Sequence, residues 1–167
     1  MHIRPTVLGD VAVLPEVERS AAQAFAWLPG LAWLAEGDVL DGAVHRGFIE
    51  AGGSWVAVDD SGRILGFACV DLQPRALHLH ELSVRREAQG QGIGRMLLDQ
   101  VVGAALELGV RELTLTTFSQ VPWNAPFYAR YGFEVVEGVR LDARLREILA
   151  EEERLGFSGR CAMSLSM

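Results

Sequence analysis

The chain has 167 residues, of which half are apolar and 22% charged, and its net charge is −7. This length predicts one domain over residues 1–167, and the acidic balance argues against a nucleic-acid-binding groove, which needs clustered basic residues. No apolar run is long enough to span a bilayer, no export signal starts the chain, and Cys69 and Cys161 lack disulfide or zinc spacing, so we expect a cytoplasmic protein.

Hydrophobic patterning in the first half predicts an edge strand, helices and a hairpin. After a strand at Ile3–Pro5, Asp10 is a candidate N-cap for a helix with apolar residues out to Phe25. Residues 31–50 have a mixed pattern and are expected to form a loop and a second helix. The turn residues 59–62 separate two apolar runs and predict a hairpin, which a strand at Ala76–Val84 follows.

The second half alternates helical and strand-like patterns. The expected helices are 92–108, a short one that Asn124 would cap and Gly132 would end, and 141–155; the expected strands are 113–117, 133–136 and 161–165. The last helix has no assigned role. The whole order predicts an α+β fold, an α/β/α sandwich with a mixed, mostly antiparallel six- to seven-stranded sheet and helices on both faces.

A glycine-rich loop leads from the Ala76–Val84 strand into the 92–108 helix. It reads Gln89-Gly90-Gln91-Gly92-Ile93-Gly94-Arg95, with Arg85 and Arg86 just before it. Glycines allow close backbone approach, and the unpaired amides at a helix start bind phosphate groups, whereas a plain glycine turn is the alternative. Arg95 stands where a dinucleotide fingerprint needs its third glycine, and the chain contains no lysine, which excludes a P-loop.

Residues 89–94 resemble the Q/R-x-x-G-x-G/A signature of the GNAT acetyltransferases. A second segment, Asn124 to Phe133, resembles the later motif of that family, in which an Asn and a Tyr four residues before Gly-Phe recur. The two segments have the usual separation, and the element order fits over nearly the whole chain. The resemblance implies an acetyl-CoA-dependent N-acetyltransferase that requires no metal.

The resemblance also implies roles for individual residues. The backbone of Leu82 and Val84 would pair with the pantetheine arm of acetyl-CoA, and Asn124 would contact that arm. Tyr128 would protonate the leaving thiolate, although packing on the sheet is its alternative role. The pyrophosphate would lie on the loop, held by Gln89, Gly90, Gly92, Ile93 and Gly94, with Arg95 adding positive charge.

The run from His78 to Val84 is expected to carry the acceptor chemistry. His78 and His80 should share one face of a strand and Glu81 the other. The His-x-His pair is similar to the strand of arylalkylamine N-acetyltransferases whose histidines relay the substrate proton, and Glu81 is the rival base. A zinc site is disfavoured, because no cysteine or acidic partner has metal-ligand spacing. Trp27, Trp33 and Trp123 are candidates for an aromatic acceptor wall.

The predicted function is therefore acetyl transfer from acetyl-CoA to a primary amine of a small molecule, by direct attack in a ternary complex. Two alternatives stay open at this point: an acetyltransferase acting on a protein N-terminus or lysine, and a sensor domain that binds acetyl-CoA without turnover. No nucleic acid or membrane partner is expected, and a homodimer is possible from the resemblance.

Overall fold

A computed structural model describes residues 1–167, which form seven β-strands and five α-helices. The helices are α1 (Leu14–Ala22), α2 (Gly42–Glu50), α3 (Ile93–Glu107), α4 (Ala125–Tyr131) and α5 (Ala143–Arg154). The strands are β1 (His2–Pro5), β2 (Ser54–Val58), β3 (Ile64–Leu72), β4 (Leu77–Val84), β5 (Glu112–Phe118), β6 (Glu134–Val136) and β7 (Arg160–Ser166). None of these helices combines the length and the apolar character that crossing a bilayer requires.

The strands form one sheet in the order β1-β2-β3-β4-β5-β7-β6. The β1–β2, β2–β3, β5–β7 and β6–β7 pairs are antiparallel, and the β4–β5 pair is parallel. The β4–β5 ladder consists of Leu77 opposite Leu113 and His78 opposite Thr114. This architecture confirms the predicted mixed, mostly antiparallel sheet of six to seven strands.

The chain divides into two compact units, and residues of β4 belong to both. The first unit comprises Met1–Leu72 with Leu79–Ala104, and the second comprises Gln73–His78 with Ala105–Met167. In the first, the apolar face of α1 packs in a core whose buried members are Leu14, Val17, Phe48, Val56, Val58, Ile64, Phe67 and Cys69. In the second, Leu145 of α5 packs with Val136 and Ala162. The predicted amphipathic faces therefore cover the sheet within each unit.

The start of α1 differs from the sequence-based prediction. Asp10 does not cap the helix: it closes a 3₁₀ helix at Leu8–Asp10, and Val13 occupies the N-cap position of α1. The Asp10 carboxylate instead receives two hydrogen bonds from Arg4, at 2.8 and 3.0 Å, and one from the Val7 amide. A cation from β1 thus outcompetes the local capping role. The helix also ends early, because Gln23–Trp27 forms a 3₁₀ helix.

The side chain predicted to cap α4 does not do so, whereas α5 has a side-chain cap that the sequence analysis did not predict. Asn124 occupies the N-cap position, but its side chain makes no capping hydrogen bond. The Asn124 Oδ1 atom accepts from the Thr117 hydroxyl at 2.9 Å and from the Phe118 amide at 3.4 Å. Asp142 caps α5 by accepting from the Leu145 amide at 2.8 Å, so the helix starts two residues later than predicted.

Candidate active site

The glycine loop has the backbone conformation that an anion site needs. Gly90 and Gly92 have φ angles of 78° and 85°, in the left-handed region, and a Cβ on either would meet no atom within 4 Å. These positions therefore require glycine for its conformation and not to avoid a clash. The α3 backbone bond from the Met96 amide to the Gly92 carbonyl is 3.0 Å long, so the amides just before Met96 lie at the open end of the helix.

The loop is tied to the end of β4. The Gln89 side-chain amide donates to the Val84 carbonyl at 3.0 Å, so the first residue of the motif bends back onto the strand. Ile93 anchors the other end, because its side chain is buried at the start of α3. These two contacts attach one end of the loop to β4 and the other to the core.

Of the three arginines flanking the loop, Arg85 is not available to a phosphate. Its guanidinium is buried, donates to the Ile64 carbonyl at 2.7 Å and pairs with Glu16 at 2.8 Å. Arg86 donates to the Gln23 carbonyl at 2.9 Å, while the Arg95 side chain is exposed. The positive charge of Arg85, which the sequence places just before the loop, is therefore offset by Glu16.

β4 presents Leu82 and Val84 just before the loop, and both are partly buried. Gly66 of β3 lies so close to β4 that a Cβ there would stand 2.7 Å from the Ser83 carbonyl oxygen. The strand is therefore held firmly on its β3 side. The β4–β5 ladder ends with His78, which leaves Leu82 and Val84 outside it.

The two histidines of β4 have different surroundings. His78 is 5% exposed, and its Nδ1 atom lies 2.9 Å from the Thr114 hydroxyl, which also accepts from Arg144 at 3.0 Å. His80 is exposed, its Nδ1 atom lies 3.6 Å from Asp71 Oδ2, and its ring lies 5.0 Å from that of Phe48. The sequence pair is thus split into one buried and one accessible imidazole.

Glu81 accepts a hydrogen bond from the Ser83 hydroxyl at 3.1 Å and contributes to the field around Cys69. Burial, followed by the charges of Glu81, Glu18 and Asp71, raises the pKa of the Cys69 thiol far above its usual value. Cys69 is therefore held as a thiol and is unsuited to act as a nucleophile.

Asn124 and Tyr128 lie within the second unit, at the start and in the middle of α4. The Tyr128 ring is buried and makes edge contacts with Phe127 and Phe133, at centroid distances of 5.2 and 5.6 Å. The Asn124 side chain bonds to β5, as described above, which fixes the first turn of α4. The aromatic contacts hold the Tyr128 ring in one orientation.

The three candidate acceptor tryptophans are all exposed, with Trp27 at 79%, Trp33 at 48% and Trp123 at 36%. Trp27 and Trp33 belong to two short 3₁₀ helices of the first unit, Gln23–Trp27 and Ala32–Glu36. The Trp33 indole donates to the Gly30 carbonyl at 3.2 Å. Trp27 therefore has most of its side chain accessible to solvent, and Trp33 and Trp123 have less.

Asp71, Phe48 and Thr114 have side chains against the histidines of β4 and were not anticipated. Asp71 interrupts the apolar run of β3 after Val70, and this single charge near a strand end was the available signal. The sequence contains no such signal for Phe48 and Thr114, because their contacts with His80 and His78 depend on helix docking and on strand register.

Comparison with known proteins identifies the family. The sequence profile described as the acetyltransferase (GNAT) family matches residues 14–133. A mycothiol acetyltransferase from Jonesia denitrificans is 34% identical over 82 residues. That match covers 48% of this chain and 26% of the relative, so the chain spans about a quarter of the length of this curated relative.

Solved structures share the fold over nearly the whole chain. The PaiA N-acetyltransferase from Thermoplasma acidophilum, solved with coenzyme A, has a TM-score of 0.75 at 18% identity, covering 99% of this chain and 98% of its own. The ribosomal-protein-S18-alanine N-acetyltransferase from Escherichia coli has a TM-score of 0.67 at 15% identity and also covers 99% of this chain. The profile match over most of the chain confirms the predicted family: this protein belongs to the GNAT acetyltransferases.

Proposed function

We propose that this protein transfers the acetyl group of acetyl-CoA to a primary amine of a small molecule by direct attack in a ternary complex. The observation that carries the proposal is the loop at residues 89–94. It combines left-handed glycines with the open amino end of a long helix, in a chain of the acetyltransferase family. Acetyl-CoA supplies an activated thioester for the reaction and a polyanionic pyrophosphate group for binding.

The residues of the loop fit a diphosphate. The backbone amides of Gln89, Gly90, Gly92, Ile93 and Gly94 would hold the pyrophosphate, where the α3 dipole adds about half a positive charge. Arg95 is exposed on the first turn of α3 and supplies further positive charge. Leu82 and Val84, outside the β4–β5 ladder, would pair with the pantetheine arm, and Asn124 would contact the same arm.

The transfer needs a neutral amine, a site that orients it and a proton for the departing thiolate. His78, His80 and Glu81 are the candidates for taking the ammonium proton. Tyr128 is the candidate acid: its phenol would give a proton to the sulfur as the carbon–sulfur bond breaks. Because Cys69 is held as a buried thiol, direct attack is favoured over an acyl-cysteine route.

Trp27, Trp33 and Trp123 would form the aromatic part of the acceptor site. An aromatic face attracts a cationic or apolar amine, and the acidic chain favours the approach of a cation. We further propose that the protein works in the cytoplasm, where acetyl-CoA is made and used.

The first test is calorimetric titration of the purified chain with acetyl-CoA. We expect saturable binding with about one site per chain, a stoichiometry set by the single loop of this kind. A folded protein that binds none would refute the loop argument and the proposed activity together.

The second test offers a panel of amines and peptides with free N-termini and measures thiol release. Turnover with small amines supports the proposal. Turnover with peptides alone would make the protein a peptide acetyltransferase, and binding without any turnover would make it a sensor.

A further inference from the structure

The two imidazoles of β4 differ in their exposure to solvent and in the groups that face them. His78 is buried against the Thr114 hydroxyl, and that hydroxyl already accepts from the Arg144 guanidinium. The hydrogen bond to a hydroxyl fixed by β5 also holds the ring in place. His78 is therefore suited to a structural role.

His80 has the opposite environment. Its side chain is 38% exposed, and the Asp71 Oδ2 atom lies 3.6 Å from its Nδ1 atom. Phe48 of α2 packs against the ring and limits its rotation. A carboxylate at Nδ1 favours the tautomer that carries hydrogen there, which leaves the Nε2 lone pair as a proton acceptor. Such contacts are often long without substrate and tighten when it binds.

Two other titratable side chains, His45 of α2 and Glu81 of β4, have surroundings unlike those of His80. His45 of α2 is fully buried, and neither of its ring nitrogens has a hydrogen-bond partner. Its burial lowers the pKa of His45, and a charge on His80 lowers it further, against an opposing attraction from Asp41. The Glu81 carboxylate is engaged by the Ser83 hydroxyl. The Asp71 carboxylate, 3.6 Å from Nδ1, distinguishes His80 from His45.

We propose that His80 is the base for the acceptor amine and that Asp71 is its positioning residue, an assignment that rests on the proposed function. In the step, the ammonium N–H bond breaks and the proton joins Nε2 of the neutral His80. The electron pair remains on the amine nitrogen, and the positive charge moves to an imidazolium beside Asp71. The freed amine is then the nucleophile of the acetyl transfer.

The kinetic test compares His80→Gln with His78→Gln and Asp71→Asn. We expect His80→Gln to lower kcat by about 100-fold and Asp71→Asn by about tenfold, with acetyl-CoA affinity retained, since a positioned base contributes on this scale. Asp71→Glu should recover part of the loss. Asp60→Asn, at an exposed turn carboxylate, is the matched control and should leave kcat unchanged. A loss in His78→Gln as large as in His80→Gln, among folded variants, would overturn the assignment.

A second measurement does not depend on activity. In ¹⁵N-histidine-labelled protein with neutral imidazoles, the His80 signal, identified by its loss in His80→Gln, should show hydrogen on Nδ1. Asp71→Asn should shift it toward the mixed tautomers of a free imidazole, and hydrogen on Nε2 in the unsubstituted protein would refute the role of Asp71. If the protein neither binds nor transfers acetyl-CoA, the proposed function fails, and the tautomer still decides whether Asp71 positions this ring.

Discussion

The glycine loop and the tryptophan-bearing turns, both in the first unit, acquire their shapes in different ways. Residues 89–94 follow from local backbone preference: two left-handed glycines, a helix start and a glutamine bent back onto its own strand. Residues 23–36 include two 3₁₀ helices with local bonds, such as the Leu34 amide to the Leu31 carbonyl, and the Arg86 guanidinium also donates to the Gln23 carbonyl. The glycine loop therefore depends on backbone conformations that favour glycine, whereas the two 3₁₀ helices combine ordinary local bonds with a contact from a distant residue.

This difference matches the proposed division of labour. A diphosphate presents the same charges in every reaction, so a fixed array of backbone donors suits it. An acceptor pocket must suit one particular amine, and exposed side chains on short turns can vary without disturbing the core. Variants that affect one region and spare the other therefore test the comparison directly.

The largest effect, on acetyl-CoA affinity, is expected at Gly92 in the glycine loop, where the backbone conformation favours glycine. Gly92→Val should raise the Kd for acetyl-CoA by about tenfold to a hundredfold, because a residue held at φ 85° costs about 1–3 kcal/mol or the loop rearranges. Calorimetry measures the change. Gly103→Ala is the matched control, since it lies within α3, has open space around an added Cβ and should bind normally. Unaltered affinity in a folded Gly92→Val protein would contradict the anion-site role.

A smaller effect is expected at the tryptophan-bearing turns, where exposed side chains would contact the acceptor. Trp27→Ala and Trp33→Ala should each raise the KM for the accepted amine about fivefold, as loss of an exposed aromatic contact typically costs about 1 kcal/mol. Acetyl-CoA affinity should not change. Val139→Ala, at a fully solvent-facing residue of the second unit, serves as the control. If both tryptophan variants keep the original KM, the aromatic acceptor wall is wrong.

The third prediction concerns the pH dependence of stability at His45 of α2. It is the smallest of the expected effects. His45 is buried and its pKa lies below the reference value of 6.5, so the folded state keeps it neutral. Below that reference the unfolded chain binds a proton that the folded chain does not, and the free energy of unfolding falls as pH falls. His45→Phe, which keeps the ring contact with Phe67, should lose less stability on acidification.

Urea unfolding at about pH 7.5 and about pH 5.5 measures this difference, because the two values bracket the reference pKa. The difference in the free energy of unfolding between the two pH values is taken within each protein. Any cost of fitting the larger phenyl ring of His45→Phe then cancels. The same loss of stability in both proteins would show that His45 does not contribute to acid sensitivity.

Elements with local signals were predictable from the sequence. The β2–β3 hairpin is an example: Asp59 accepts from the Ser61 and Arg63 amides, and Gly62 has a φ of 85°. The turn therefore contains its own stabilising contacts within five residues. The same holds for the glycine loop and for the family assignment, since both motifs are short and contiguous.

Elements whose partners lie far along the chain were not predictable. Asp10 has the right residue type for a cap, but Arg4 on β1 engages its carboxylate. Arg85 sits beside the loop in sequence, yet Glu16, 69 positions away, pairs with it. Strand alternation predicts that His78 and His80 share a face, but only strand register and helix docking decide that Thr114 meets one and Asp71 the other. The roles of these residues remain proposals.

The bond from Gln89 to the Val84 carbonyl has a consequence for how the loop behaves without ligand. A loop closed on its own strand and anchored by Ile93 is ordered in advance, so binding there does not carry the entropy cost of folding a flexible segment. Its amides nevertheless stand at an open helix end, where the helix supplies no acceptors. Hydrogen–deuterium exchange should therefore be fast at residues 90–94 although the backbone is rigid, and a bound polyanion should slow it without altering the shape of the loop.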